Sequence, residues 1–152
     1  MRAALACLVV VVLAGCASAP PGDFGDRDEK GRLAAENALK LVGTPYRYGG
    51  ANPADGFDCS GLVQWSFRQA GVTLPHNTDA LHLESSPVGM GDLRPGDLLF
   101  FNLQAKKNSH VGIYAGGGDF VHAPSTGKDV RKDRLVSPYW RKHLSEARRP
   151  RI

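Results

Sequence analysis

Cysteine and histidine are the residue types in this chain that could carry covalent chemistry. Cys59 follows Asp58 and opens a segment with helical spacing that runs to Ala70, so its thiol is predicted at the N-terminal end of a helix. Unpaired backbone N–H groups at that end stabilise a thiolate and can hold an oxyanion. A thiolate nucleophile also needs a base within hydrogen-bonding reach, and histidine is the usual one.

The sequence offers five histidines as that base. His110 opens the strand-like segment HVGIY, and His122 lies in the next one, FVHAP, beyond a glycine-rich turn. Adjacent antiparallel strands would bring the two rings together, so that His122 could bind the second ring nitrogen of His110 and fix its tautomer. The other three are interpreted as surface or loop residues: His76, His82 and His143.

The N-terminal segment MRAALACLVVVVLAGC predicts export. Its apolar run after Arg2 is shorter than the roughly 20 residues of a membrane span. The ending LAGC resembles the bacterial lipoprotein signal, which implies a signal peptide over residues 1–15 and a mature chain that begins at a lipid-bearing Cys16. Because Ala17 rather than Asp follows, the resemblance implies the outer membrane, facing the periplasm. The alternative is an ordinary cleaved signal with an incidental cysteine.

Cysteine usage also draws attention to Cys59. Of the three cysteines, Cys7 would leave with the signal peptide and Cys16 would carry lipid, so no internal disulfide could form. An unpaired thiol in an oxidising compartment indicates either deep burial, as a small apolar side chain, or a use for the thiolate.

The length and apolar content allow one core and therefore one globular domain. We expect a flexible tether over residues 16–25, which are rich in Pro, Gly and Ala, and a folded domain over 26–152. Helical spacing predicts a first helix near the start of this domain, a second over 59–70 and a short third one capped by Asn77 or Thr78.

Beyond Gly96 the sequence has the character of β-strands. The segments DLLFFNL, HVGIYAG and DFVHAP are short, rich in β-branched and aromatic residues, and separated by turn-forming residues. Residues 128–135 are predicted to add a strand, SPYWRKHL a short helical turn, and SEARRP a last strand at the edge of the sheet. Helices followed by strands predict an α+β domain.

Several motifs in a fixed order resemble one family. They are GTPYRYGG, FDCSGLVQ, LP, RPGDLLFF, SHVGIY, FVHAP and SPYWRKHLSEARR. From about Arg32 onward the chain resembles the NlpC-type cell-wall peptidases, a branch of the papain-like cysteine peptidases. The resemblance implies a papain-like α+β fold, in which N-terminal helices pack on an antiparallel β-sheet and the nucleophilic cysteine begins a helix.

The same resemblance implies roles for individual residues. Cys59 is implied to be the nucleophile, His110 the general base, and His122 the third catalytic residue, which orients His110. Tyr46, rather than Tyr48, is implied to lie over the active site.

Asp58 and Ser60 are placed with Tyr46 on the oxyanion and substrate side of the site. Asp58 is interpreted as a helix cap and supporting contact, and not as a proton-transfer group. After LP the chain reads HNTDALHL, where relatives often carry an arginine and a later glutamine. This departure affects the expected contacts with substrate and leaves the expected chemistry unchanged.

The function implied by the resemblance is a peptidoglycan endopeptidase that hydrolyses an amide of the stem peptide or crosslink, next to diaminopimelate. No cofactor is expected, and no metal, because no Cys or His pair has zinc-ligand spacing. One alternative is a non-catalytic wall-binding or scaffold lipoprotein. Another is an amidase or acyltransferase on the same fold.

Charge bears on the expected partners. The formal net charge is +4, and the segment from Lys128 to Ile152 contains nine Lys or Arg against three Asp or Glu. In an exported protein such a surface could face wall carboxylates or lipid phosphates, or be merely solvated. We expect a peptidoglycan peptide as substrate, membrane attachment through lipid on Cys16, no nucleic acid, and a monomer.

Overall fold

The structure, a computed structural model, describes residues 24–152. The predicted signal peptide, the predicted lipid attachment at Cys16 and most of the predicted tether lie outside the described residues. The four α-helices are α1 (Phe24–Leu39), α2 (Cys59–Gln69), α3 (Thr78–Leu83) and α4 (Pro138–His143), and one 3-10 turn spans Met90–Asp92. None of the helices within the described part of the chain combines the length and apolar character that a membrane-spanning helix requires.

Eight strands follow or separate these helices. They are β1 (Ala51–Asn52), β2 (Gly56–Phe57), β3 (Ser85–Val88), β4 (Leu98–Leu103), β5 (Lys106–Gly116), β6 (Asp119–His122), β7 (Arg131–Arg134) and β8 (Leu144–Pro150). β1 and β2 form a small hairpin, and the other six strands form one antiparallel sheet in the order β3-β8-β4-β5-β6-β7. The predicted α+β fold, with helices packed on an antiparallel sheet, is confirmed.

Three details differ from the sequence-based expectation. The segment SEARRP, predicted as an edge strand, belongs to β8 and pairs with β4 on one side and β3 on the other. β3 was not predicted, because Ser85–Val88 is short, polar and contains a proline. In addition, α1 begins at Phe24, two residues before the predicted start of the folded domain.

The central strand β4 explains why the sheet is covered on both faces. Its first four residues are fully buried. Leu98 and Phe100 join the core beneath α1 and α2, whereas Leu99 and Phe101 join a second cluster around Trp140. This alternation follows from the two-residue period of a strand. The candidate site therefore has packed structure behind it on the helical side and on the α4 side.

Candidate active site

Cys59 is the first residue of α2, and Asp58 caps the helix. The Gly61 N–H donates to Asp58 Oδ1 at 2.7 Å, and Asp58 has the extended backbone of an N-cap. Ser60 is buried, and its hydroxyl donates to the same oxygen at 3.3 Å. The cap predicted at Asp58 is confirmed. The Ser60 hydroxyl is thus bound to the cap. The backbone N–H of Ser60 is the group that hydrogen-bonds the Cys59 sulfur.

A loop lies directly over the start of α2. The Gly49 N–H donates to Asp58 Oδ2 at 3.0 Å, and the carbonyl oxygen of Gly50 would lie only 2.0 Å from a Cβ placed on Gly61. Glycine at position 61 therefore permits a backbone contact that any side chain would prevent. This contact fixes the loop that carries the two tyrosines beside Cys59.

The two tyrosines of this loop have different environments. Tyr46 is half-buried and packs against the main core together with Cys59, whereas Tyr48 is 89% exposed. Burial raises the pKa of the Tyr46 hydroxyl, and the nearby Cys59, when it ionises, and Asp58 raise that pKa further. Tyr46 is therefore the tyrosine that lies near the Cys59 sulfur.

The Cys59 sulfur faces strand β5 and helix α3. Thr78 Oγ1 lies 3.9 Å from Sγ, and the backbone of Val111, the residue after His110, forms a hydrogen bond with the sulfur. Burial raises the pKa of the Cys59 thiol. The backbone hydrogen bonds from Val111 and Ser60 lower this pKa, but by less than burial raises it. The expectation that the helix end would favour the thiolate is therefore not met in the resting site, because burial penalises the charged form more strongly.

His110 and His122 are joined as the strand arrangement predicted. His110 Nε2 lies 2.8 Å from His122 Nδ1, and both residues are buried, at 3% and 0% exposure. Because Nε2 of His110 is bound to His122, Nδ1 is the nitrogen of His110 left for a proton from another group. The structure thus places Cys59 beside the strand segment that carries His110, and His122 behind His110.

Three further side chains surround His122, and the sequence-based reasoning missed them. Asp133 Oδ2 lies 3.0 Å from His122 Nε2 and also accepts a hydrogen bond from Trp140 Nε1 at 3.0 Å. Arg131 binds both oxygens of Asp133, at distances of 2.6 to 2.9 Å. The Trp140 ring is stacked on His110 and packs edge-on against His122. The only sequence signal was the position of Asp133 in the strand predicted after His122.

The remaining histidines have partners away from this pair. His76 Nε2 lies 2.8 Å from Asp58 Oδ1, so that it supports the helix cap from the loop before α3. His82 hydrogen-bonds Glu146 and packs edge-on against Phe100. The third, His143, binds a backbone carbonyl within α4. His76 lies in the loop before α3, as predicted, although it is partly buried. His82 is a partly buried residue of α3, and not the surface or loop residue that was predicted.

The electrostatics of the site favour neutral groups before substrate arrives. Burial lowers the pKa of His110 to about 3, and it lowers the pKa of His122 to about 4 although Asp133 opposes it. At neutral pH both rings are therefore neutral and Cys59 is a thiol. Transfer of the thiol proton to His110 would create two opposite charges that stabilise each other, so that the two ionisations are coupled.

Among residues 24–152 there is no group of three or more His, Cys, Asp or Glu side chains arranged to hold a metal ion. The buried histidines of the site are bound to each other and to Asp133. The arrangement of Cys59, His110 and His122 can activate a thiol, transfer a proton and hold an oxyanion at the start of α2.

Comparison with known proteins identifies the family. The sequence profile described as the NlpC/P60 family matches residues 43–149, which is more than half of the chain. The chain belongs to the NlpC/P60 family. A solved structure of an NLP/P60 family protein from Staphylococcus aureus, described as similar to lipoprotein, has a TM-score of 0.70 and 38% sequence identity, over 81% of this chain and 42% of that chain. The papain-like architecture implied by the sequence is therefore confirmed.

Two other NlpC/P60 relatives carry names that state an activity. The bifunctional muramidase/DL-endopeptidase CwlT of Bacillus subtilis is 44% identical over 72% of this chain and 33% of its own length. The murein DD-endopeptidase MepH of Escherichia coli is 36% identical over 78% of this chain and 45% of its own length. The chain thus spans less than half of the length of these relatives.

Proposed function

We propose that this NlpC/P60 chain is a cysteine peptidase that hydrolyses an amide bond in the stem peptide or crosslink of peptidoglycan. The observation that carries the proposal is the buried His110–His122 pair beside Cys59. The backbone of Val111, the residue after His110, is hydrogen-bonded to the Cys59 sulfur. A binding module has no need for a thiol at a helix N-terminus beside two hydrogen-bonded, buried histidines.

The proposed reaction begins when His110 Nδ1 accepts the Cys59 proton and the sulfur attacks the amide carbon. Backbone N–H groups at the start of α2 hold the oxyanion of the tetrahedral intermediate. The C–N bond breaks as His110 returns its proton to the leaving amine, which leaves a thioester on Cys59. Water, deprotonated by His110, then hydrolyses the thioester and regenerates the thiol.

In this proposal His122 acts by orienting His110, and the side chains of Tyr46 and Thr78 border the sulfur on the substrate side. Ser60 contributes its backbone N–H, and Asp58 holds the helix end in place. We infer that the hydrolysed bond is an amide next to diaminopimelate. The names of the two relatives refer to DL- and DD-bonds, so that products of both kinds are the ones to search for.

We also propose the location and organisation inferred from the sequence: signal peptide over residues 1–15, tether over 16–25 and peptidase domain over 26–152. Lipid on Cys16 would attach a monomer to the outer membrane, facing the periplasm. A Cys16→Ser variant should then move from the membrane fraction to the soluble fraction of the envelope and lose incorporation of a labelled fatty acid. Unchanged membrane association would contradict the lipid anchor.

The test of the function is digestion of purified peptidoglycan by the full chain in detergent, beside its Cys59→Ala variant, with fragments identified by mass spectrometry. New stem-peptide or crosslink fragments from the unmodified chain only are expected, and they would identify the bond. Fragments that include cleaved sugar–peptide amides would indicate an amidase. Absence of fragments, with binding to the wall retained by both proteins, would indicate a scaffold lipoprotein.

A further inference from the structure

The hydrogen bonds of Asp133 determine which ring nitrogens of His122 and His110 carry a proton. Asp133 Oδ2 accepts hydrogen bonds from Trp140 Nε1 and from the Arg131 guanidinium, both of which can only donate. Burial raises the pKa of Asp133, but hydrogen bonds from Arg131 and His122 outweigh burial, so that the net pKa is lowered and the group is a carboxylate. A carboxylate can only accept, and His122 Nε2 must therefore carry a hydrogen.

The proton on His122 Nε2 determines where the proton of His110 lies. Because a neutral imidazole has one N–H, His122 Nδ1 is then an acceptor, and His110 Nε2 must donate to it across the 2.8 Å contact. The single N–H of neutral His110 is thereby used, and its Nδ1 bears a lone pair. This is the tautomer that can accept a proton from Cys59, and the opposite tautomer would have no base to offer.

We propose that Asp133 is a positioning residue that sets the tautomers of His122 and His110 so that His110 Nδ1 is the base. Arg131 and Trp140 hold the carboxylate in the orientation that this role needs, since Arg131 donates three hydrogen bonds to it and Trp140 donates one. The role is separate from that of His122, which touches His110 itself. It depends on the proposed function only for the identity of the substrate, because tautomers and thiol reactivity can be measured without peptidoglycan.

The most direct test is nitrogen-15 NMR of the full chain carrying Cys59→Ala, which reports which ring nitrogen of each histidine is protonated. We expect Nε2–H for both His110 and His122 at neutral pH. Protonation of Nδ1 on either neutral ring would overturn the proposal. This measurement needs no change at Asp133, so it is informative even if variants at that position fold poorly.

An Asp133→Asn variant tests the consequence, because an amide can donate to His122 and reverse the tautomers. Alkylation of Cys59 by iodoacetamide should slow by about tenfold or more at neutral pH, and kcat for peptidoglycan should fall by about 10²-fold with KM little changed. The matched control is Asp119→Asn, since Asp119 pairs with Lys132 and Arg134 of the same strand β7. Equal rates and pH profiles in the two variants would contradict the proposal.

A second, independent observation concerns an open cleft on the α4 side of the sheet, with a volume of about 770 Å³. Its lining includes three cations, Lys128, Arg131 and Arg134, and one anion, Asp133. Arg131 binds Asp133, whereas the Lys128 ammonium has no ion-pair or hydrogen-bond partner within residues 24–152. The cleft is therefore net positive, and it contains part of the basic segment that the reaction chemistry does not use.

The cleft also adjoins the proposed reaction site. The backbone carbonyl of Lys128 accepts a hydrogen bond from the Tyr46 N–H at 2.8 Å. The loop that contains Lys128 therefore borders both the cleft and the tyrosine near Cys59. Trp140 lines the cleft and packs on both catalytic-site histidines. We infer that this cleft binds a carboxylate-bearing part of the stem peptide whose amide is cut, an inference that rests on the proposed function.

Binding of a synthetic stem peptide with free carboxylates, and of its amidated form, can be measured by calorimetry on the full chain carrying Cys59→Ala. A Lys128→Gln, Arg134→Gln double variant should weaken binding of the free peptide by about tenfold and leave the amidated peptide little affected. Arg141→Gln, Lys142→Gln is the matched control, since it removes the same two charges from exposed positions of α4 outside the cleft.

Equal losses in the two double variants, or equal affinity for the two peptides, would overturn the cleft as a carboxylate site. Binding to phosphatidylglycerol vesicles that depends on Lys128 and Arg134, with peptide binding unchanged, would overturn the peptide in favour of lipid. Because these are binding measurements, they remain decisive if digestion of peptidoglycan fails, and the proposed hydrolysis is judged separately by its products.

Discussion

The two sides of the candidate active site are built in different ways. On the nucleophile side, Cys59 is placed by groups close to it in sequence, with Asp58 as the cap and the Gly49–Gly50 loop lying on Gly61. On the histidine side, each contact joins a different element: β5 to β6, β6 to β7, and β7 to α4. The first side depends on local backbone geometry, and the second on a buried network of side chains.

The largest expected effect tests whether the histidine side supplies the base. His110→Ala should lower kcat for peptidoglycan hydrolysis by about 10³-fold or more, because the other histidines of residues 24–152 are hydrogen-bonded to other partners. His82→Ala is the matched control, since His82 is also hydrogen-bonded but is only partly buried and lies with Glu146 and Phe100. It should change kcat by less than about fivefold, and a comparable loss in both variants would contradict the assignment.

A second prediction uses the buried state of the same pair. Both histidines have pKa values lowered by burial, to about 3 and about 4, from 6.5. As pH falls from 6.5 towards 4, the unfolded chain binds protons that the folded chain excludes. The free energy of unfolding should therefore decrease with falling pH, by about 1.4 kcal/mol per pH unit for each histidine, and be fully retained above 6.5.

Chemical unfolding at several pH values checks this dependence. His110→Asn should reduce the slope, because it removes one of the two buried rings. An equal slope in the His110→Asn variant and the unmodified chain would show that the buried pair is not the cause.

The nucleophile side predicts a smaller effect, on stability. Gly61→Ala should destabilise the fold by about 1–3 kcal/mol, because the new Cβ would lie 2.0 Å from the Gly50 oxygen and the loop must move. Gly25→Ala, in α1 with no atom within 4 Å of the added carbon, should be neutral or stabilising by up to about 1 kcal/mol. Thermal unfolding of both variants gives the comparison, and similar effects would contradict the tight loop contact.

The smallest expected effect lies in the turn that leads into the histidine strand. Gln104 and Ala105 connect β4 to β5 with φ angles of 52° and 57°, a conformation that favours glycine. Ala105→Gly should stabilise the chain by about 0.5–1 kcal/mol, whereas Ala80→Gly within α3 should destabilise it by about 1 kcal/mol. A loss of stability in Ala105→Gly would contradict a strained turn.

The difference between the two sides explains what the sequence could predict. Helix α2, its Asp58 cap and the pairing of His110 with His122 follow from local spacing and from adjacent strands, and each is confirmed in the structure. The choice of Tyr46 over Tyr48 as the residue beside the sulfur agrees with their burial. The family resemblance added the expectation of a papain-like fold, which the comparisons support.

The parts that were missed depend on contacts between distant residues. Asp133 reaches His122 only because β7 pairs with β6, and Trp140 closes the network from α4, 18 positions after His122. β8 lies inside the sheet because β3 pairs with it, and nothing in the polar sequence of β3 signals that partner. The net raising of the Cys59 pKa likewise follows from burial, which helix position alone does not reveal.

The central claim is that Cys59 forms a covalent bond with the acyl part of a wall peptide. The most direct measurement is the mass of the full chain after brief incubation with soluble peptidoglycan fragments and quenching in acid, which preserves a thioester. We predict an added mass equal to the acyl fragment, mapped to Cys59 and absent from Cys59→Ala. Hydrolysis that continues in Cys59→Ala, or an adduct mapped to another residue, would contradict the account.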